Sequence, residues 1–319
     1  MKFAVALGLA CAVVLAPAQA QYPSKPIRFV IPFPPGGGTD TNSRALTQRI
    51  TKNTGWTFVM DNKPGAGGNI GAEQAAKSAP DGYTLVLGQT SNLAINPFLY
   101  AKPPFDPIRD FEPVALVSSV PLVIVSSSKA SFKSMNDVIA AAKKKPDGVT
   151  FASPGNGTVG HLAGEMIARV AGVKLLHVPY KGAGPALTDL IGGQVDLYLS
   201  TPQPAVGQIK AGTVHAIAVT SPKRTSALPE VPTLGEQGIK GADVSSWYGV
   251  LAPAKTPPEI LARLNAEVNK ALGAPEVRES LTGEGGEVLG GTPAQFAEFL
   301  RAEQAKWSKV VKESGVKLD

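Results

Sequence analysis

Cysteine is nearly absent from this chain: one residue, Cys11, occurs in 319. It falls inside an N-terminal stretch in which Lys2 precedes an apolar run, Phe3 to Leu15, that ends in Ala18-Gln19-Ala20. A short basic start, an apolar stretch and an Ala-x-Ala ending form a secretory leader, so residues 1–20 read as a signal peptide cleaved near Ala20. The apolar run is shorter than the roughly 20 residues a bilayer-spanning helix needs, so it does not read as a retained anchor. A lipoprotein reading would use Cys11, but Gly8-Leu9-Ala10 is a poor match and cleavage there would cut the apolar run. The exported chain then carries no cysteine, which excludes disulfides, a thiol nucleophile and thiolate-held metal.

Other absences narrow the chemistry. Charged residues make up 18% with a net charge of +6, and Lys143 to Lys145 is the one cationic run, read as a solvated helix end. That pattern argues against a nucleic-acid binder. No phosphate-binding Gly-x-x-x-x-Gly-Lys-Ser/Thr is present. Gly36-x-Gly38 and Gly65-x-Gly67 meet Thr41 and Ile70 where a dinucleotide loop needs glycine. Neither a Gly-x-Ser-x-Gly elbow nor a His-Glu-x-x-His site occurs. The histidines are His161, His177 and His215. His161 and Glu165 share a helical face, but a helix-start histidine bonded to its own loop is the simpler reading, and no cofactor or metal is expected.

What is present is a two-part α/β pattern, and the length suits two domains. Ile27 to Phe33, Thr57 to Met60 and Thr84 to Gly88 read as strands, with helices near 40–53, 69–78 and 92–100. A second series reads Leu122 to Ser126, Val149 to Ala152, Lys174 to Val178, Val195 to Leu199 and Ala216 to Thr220. Its helices carry a Ser134 to Asp137 capping box, an amphipathic stretch at 160–171, and Pro185 to Ile191 ending at Gly192-Gly193. Thr256-Pro257 and Thr292-Pro293 open two long C-terminal helices, each with threonine as cap. Phe111 to Val120 and Ser245 to Ala252 are extended and apolar and read as hinge strands. Trp247 and Tyr248 on the second are assigned to packing.

Ligands in open α/β sheets sit in the loops after the strands. Here those loops are Pro34 to Asp40 and Asp61 to Asn69, rich in glycine and each followed by a helix. Glycines admit close approach, and a helix start offers unpaired amides and partial positive charge, so each loop is an anion seat without Lys or Arg. Each bond from such an amide to a charged group contributes roughly 1.5–3 kcal/mol. Ser153 to His161 and Ser200 to Gln203 occupy the same topological position in the second series, so the seats face each other across a cleft. Tyr180 and Lys181 either line that cleft or close it.

Tyr22 to Arg28, Pro32 to Asp40, Pro64 to Gly68, Pro80 to Leu85, Asp110 to Val114, His177 to Gly182 and Leu228 to Thr233 together resemble the Bug/TctC family. Those are periplasmic solute-binding proteins of tripartite tricarboxylate transporters. The resemblance implies a type II-like periplasmic binding protein. Its domains, each a mostly parallel sheet flanked by helices, comprise 21–119 with 247–319 and 120–246, joined by two hinge strands. It implies no catalysis, a periplasmic monomer, and capture of a small carboxylate, a di- or tricarboxylate or an aromatic acid, for membrane permease subunits. A sensor-kinase partner uses the same binding chemistry, and an exported hydrolase is the remaining alternative. The family's ligand loops fall here on Phe33, Gly36, Gly37, Thr39, Asp40, Ala66, Gly67 and Gly68, with Thr90, Ser91 and Asn92 closing that side. In the second domain they fall on Ser153, Asn156, Gly157, Thr158 and His161, with Ser200 and Thr201 beyond. Many relatives carry an acidic residue where this chain has Ser200, which argues for a ligand without an ammonium group.

Overall fold

The computed structural model describes residues 22–283 and 285–318; the leader and Cys11 lie outside them. Two mixed sheets carry the fold. The first takes β1 (Ile27–Ile31), β2 (Phe58–Asn62), β3 (Thr84–Gln89), β4 (Phe111–Pro121), β10 (Ser245–Pro253) and β11 (Glu287–Val288) in the order β11-β4-β10-β3-β1-β2. The second takes β5 (Val123–Ser127), β6 (Thr150–Ser153), β7 (Leu176–Pro179), β8 (Leu197–Ser200) and β9 (Val214–Val219) in the order β7-β6-β8-β5-β9.

The parallel layers anticipated from the strand-helix alternation are β2-β1-β3 and β7-β6-β8. Both triplets are closed by crossover helices: α1 (Gly38–Thr54) and α2 (Asn69–Ala76) in the first, α5 (Val159–Ala171) and α6 (Ala183–Gly192) in the second. The remaining pairings are antiparallel, because β4 carries the chain out of the first sheet and β10 brings it back alongside. Phe111 to Val120 and Ser245 to Ala252 are therefore one paired ribbon.

Local signals explain most boundaries. Gly55 and Gly193 take left-handed conformations that end α1 and α6. Ser134 caps α4 (Met135–Lys144) by accepting the Asp137 amide. The segment 92–100 is a wide helical turn, Ser91–Ile95, running into the short α3 (Asn96–Leu99). Short α7 (Val206–Lys210) precedes β9. At the C-terminus three helices stand where two were expected: α8 (Pro258–Leu272), α9 (Pro275–Thr282) and α10 (Pro293–Ser314). Thr292 and Gln295 form the full capping box on α10, whereas Thr256 does not cap α8. Its hydroxyl donates to the Pro253 carbonyl at 2.7 Å, and Pro257 occupies the cap position.

One apolar core runs from Val30 and Val86 through Phe151 and Leu162 to Phe296 and Trp307. Helix α10 joins its parts by packing on both β4 and α5. The Glu303 carboxylate accepts the indole N–H groups of Trp247, at 2.8 Å, and Trp307, at 3.1 Å, and so ties the returning ribbon strand to α10. Fully burying each such large side chain contributes about 1.5–3 kcal/mol. Gly249 lets β10 lie directly against Phe296, since a Cβ there would clash with the outer edge of the Phe296 ring. Gly249→Ala is expected to cost about 1–3 kcal/mol by overpacking; an unchanged urea midpoint would show that the ribbon is not clamped there.

Candidate ligand-binding cleft

The loop between β1 and α1 is held open from beneath. The Asp40 carboxylate accepts the Gly36 amide at 3.1 Å and an Asn62 amide N–H at 3.1 Å, and pairs with Arg44 at 2.9 Å. Asn62 also donates to the Phe33 carbonyl at 3.0 Å, so the end of β2 braces both ends of the loop. Burial alone would raise the Asp40 pKa, but Arg44, the Gly36 amide and Asn62 together hold it below the ordinary carboxylate range. Asp40 is thus ionised and already committed, which leaves the first-turn amides of Gly38 and Thr39 for a ligand.

The second loop packs close. Gly68 lies under the Phe33 ring and beside the Asn92 amide, each within 2.8 Å of where its Cβ would stand. Asn96 donates to the Gly67 carbonyl at 3.2 Å and to Asn69 at 2.9 Å.

Across the cleft, the Ser153–Thr158 loop folds back on two histidines. Ser153 Oγ lies 2.7 Å from His177 Nε2, and the Gly157 amide donates to His161 Nδ1 at 3.3 Å. The two imidazoles stack at 3.9 Å with planes 10° apart. Burial lowers the His161 pKa to about 4; burial and the neighbouring His161 lower that of His177 to about 3. Both rings are therefore neutral supports of the loop. Glu165 stands 3.9 Å from His161 Nε2, and among the described residues no cluster of three or more metal-ligating side chains forms.

Two cavities result. One of about 400 Å³ is lined by Gly36, Gly37 and Thr39, by Ser91, and by Thr158, Ser200 and Thr201 from the second sheet. Another of about 480 Å³ lies between Ala66 to Gly68 and Asn156, with Tyr100, Tyr180 and Lys181. Phe33, Pro34, Pro154 and Gly182 border both. Asp40, Thr90, Asn92, Ser153, Gly157 and His161 line neither; they hold the lining loops. Thr90 Oγ1, for example, accepts the Trp247 amide at 2.8 Å.

This is the arrangement of a solute-binding cleft, and comparison with known proteins agrees. The family described as the tripartite tricarboxylate transporter family receptor, TctC, matches residues 43–316. The chain belongs to this family. Solved relatives superpose over nearly their whole length. The periplasmic binding protein BugD is 36% identical with a TM-score of 0.88, covering 93% of this chain and 99% of that one. Rpa4515 of R. palustris with adipate is 35% identical with a TM-score of 0.89, covering 93% and 99%. MatC of Rhodopseudomonas palustris with bound malate is 33% identical with a TM-score of 0.86, covering 91% and 100%. The chain is accordingly a periplasmic-type binding protein and not an enzyme.

Sequence reasoning missed two contributors in this TctC-family chain. Tyr248, assigned to packing, lines the first cavity, while Trp247 beside it turns to Glu303. Strand alternation was the available signal, since neighbours on β10 face opposite sides. The start of α6, Gly182 to Pro185, also lines the first cavity, and its Gly-Ala-Gly run was the overlooked cue.

The stacked histidines make stability pH-dependent. Unfolded, both titrate near 6.5. As pH falls from there towards 4, the unfolded chain takes up protons that the folded chain excludes, so stability is full above 6.5 and declines through that window. Burial raises the Glu165 pKa, which works in the opposite sense. The thermal midpoint of His161→Gln is therefore expected to fall less steeply between pH 6.5 and 4 than that of the parent; parallel curves would contradict the assignment.

Proposed function

We propose that this chain is an extracytoplasmic receptor that captures a small carboxylate lacking an ammonium group and delivers it to the membrane permease of a tripartite tricarboxylate-type transporter. The carrying observation is the first cavity, where the first turns of α1, α5 and α6, from both sheets, converge on one space with no charged side chain in its lining. Three helix starts supply partial positive charge, and the first turn of α1 keeps the Gly38 and Thr39 amides without helical partners, which favours an anion. No aspartate or glutamate lines either cavity among the described residues, so an ammonium group would find no counter-charge. The adipate and malate named with two relatives support a carboxylate here.

The moving units in this reading are 21–119 with 247–319 and 120–246, hinged on the β4–β10 ribbon. In this reading residues 1–20 direct export and are then removed near Ala20. Ligand bonds from both units exist only when the cleft is shut, so binding shifts the population towards the closed form.

Calorimetry should find at least one acid, among mono-, di- and tricarboxylates and aromatic acids, that binds tighter than both its amide and its α-amino analogue. Tight binding of aspartate or glutamate would overturn the exclusion of ammonium ligands. Asp40→Asn, which keeps the shape but releases Arg44 and the Gly36 amide, is expected to weaken that acid about tenfold, equivalent to about 1.4 kcal/mol. Small-angle scattering should register compaction on saturation, and an unchanged radius of gyration would remove the closure step.

A further inference from the structure

We infer that the first cavity selects a flat aromatic monocarboxylate over an open-chain di- or tricarboxylate, a reading that rests on the carboxylate-receptor function proposed above. The cavity has one well-equipped anion seat. At the start of α1 the amides of Gly38 and Thr39 have no helical partner. Beside them stand the hydroxyls of Thr39 and Thr201, in residues 4% and 8% exposed, and neither hydroxyl bonds a protein group among the described residues. Thr201 Oγ1 lies 3.4 Å from where a Cβ on Gly38 would stand, so β8 brings its hydroxyl directly to the helix start.

Much of the remaining lining is apolar. Phe33, Pro34, Pro35, Pro154, Pro185 and Pro204 present rigid apolar rings to the same space, and Leu187 adds an aliphatic face. Helix α6 begins in this wall, but its third residue, Pro185, carries no N–H, so its first turn has one donor fewer. At α5, the Val159 amide is already taken by Ser91 Oγ at 3.2 Å. Gln89 and Gln203 bring neutral amides to the lining, and Ser91, Thr158, Ser200, Ser246 and Tyr248 bring hydroxyls, so none of its polar side chains is a cation. A second carboxylate would lose its hydration without gaining a cation, which is strongly unfavourable. A planar ring loses nothing comparable, and it gains dispersion contacts with proline and phenylalanine faces at little conformational cost.

The test is calorimetry of the purified protein, shown by mass spectrometry to be free of bound solute, with benzoate, cyclohexanecarboxylate, adipate, citrate and benzamide. Benzoate is expected to bind at least about tenfold tighter than adipate, citrate and the puckered cyclohexanecarboxylate. Adipate or citrate binding tightest would overturn the selection while leaving the carboxylate receptor standing. Benzamide binding as well as benzoate, or no compound binding, would overturn both readings. Two variants with thermal midpoints checked against the parent complete the test. Thr201→Val should weaken benzoate about tenfold, and Leu187→Lys, which places a cation in the apolar wall, should shift the adipate-to-benzoate affinity ratio about tenfold towards adipate. A folded Leu187→Lys protein with an unchanged ratio, or full benzoate affinity in folded Thr201→Val, would count against the proposal.

Discussion

An anion drawn into a cavity with no charged side chain must be stabilised by backbone amides, and amides serve only as well as the loops that hold them still. Much of the architecture around the cleft answers that constraint. A lysine could follow a moving ligand on its flexible stem, whereas the Gly38 and Thr39 amides cannot move without unwinding α1. The titratable groups nearby are bonded into the loops. Asp40 with Arg44 fixes the first loop, and neutral His161 and His177 fix the loop opposite. The charge that remains at the cleft, Lys181, lines only the second cavity and is exposed.

The same constraint explains what was legible in the sequence. Glycine runs followed by helix starts are a local signal, so Gly36, Gly37 and Thr39, and Ala66 to Gly68, could be placed from their neighbours alone. Thr158, Ser200 and Thr201 were legible for the same topological reason, since each follows a strand of the second series. The bond from the Gly157 amide to His161 was legible too, since it closes within the loop at a helix start. The contacts distant along the chain were not legible: Asn62 sharing the Asp40 carboxylate, and the His161 ring stacked on His177.

Strand positions were read well and strand directions less well. Each apolar run found in the sequence became a strand within a few residues, including the edge strands β2 and β7, whose residues are half-buried or exposed. The antiparallel ribbon could not be derived from either half separately, because β4 and β10 are separated by the whole second sheet. Thr256 shows the limit of a local motif. Thr-Pro ahead of an apolar helix is a good start signal, yet at α8 the threonine hydroxyl turns back to Pro253, while the same dipeptide at α10 caps because Gln295 completes the box.

The walls of the cleft already touch in places, and under the closure proposed above this bears on how such a receptor keeps an empty closed form from competing. Val159 bonds Ser91 across the cleft, Gly157 abuts Asn96, and Pro34 meets Gly182. In the proposed reading these contacts define the closed geometry, but they are few and small, and a hydrogen bond exchanged for one with water contributes only about 0.5–1.5 kcal/mol. Closure must also strip water from the amides at the start of α1, and without an anion those amides are left unpaired at a cost of about 1–3 kcal/mol each. The donors that make the bound state favourable thus make the empty closed state unfavourable. A ligand that satisfies them reverses the sign of that contribution, so in the proposed receptor the amides govern both affinity and the coupling of binding to closure.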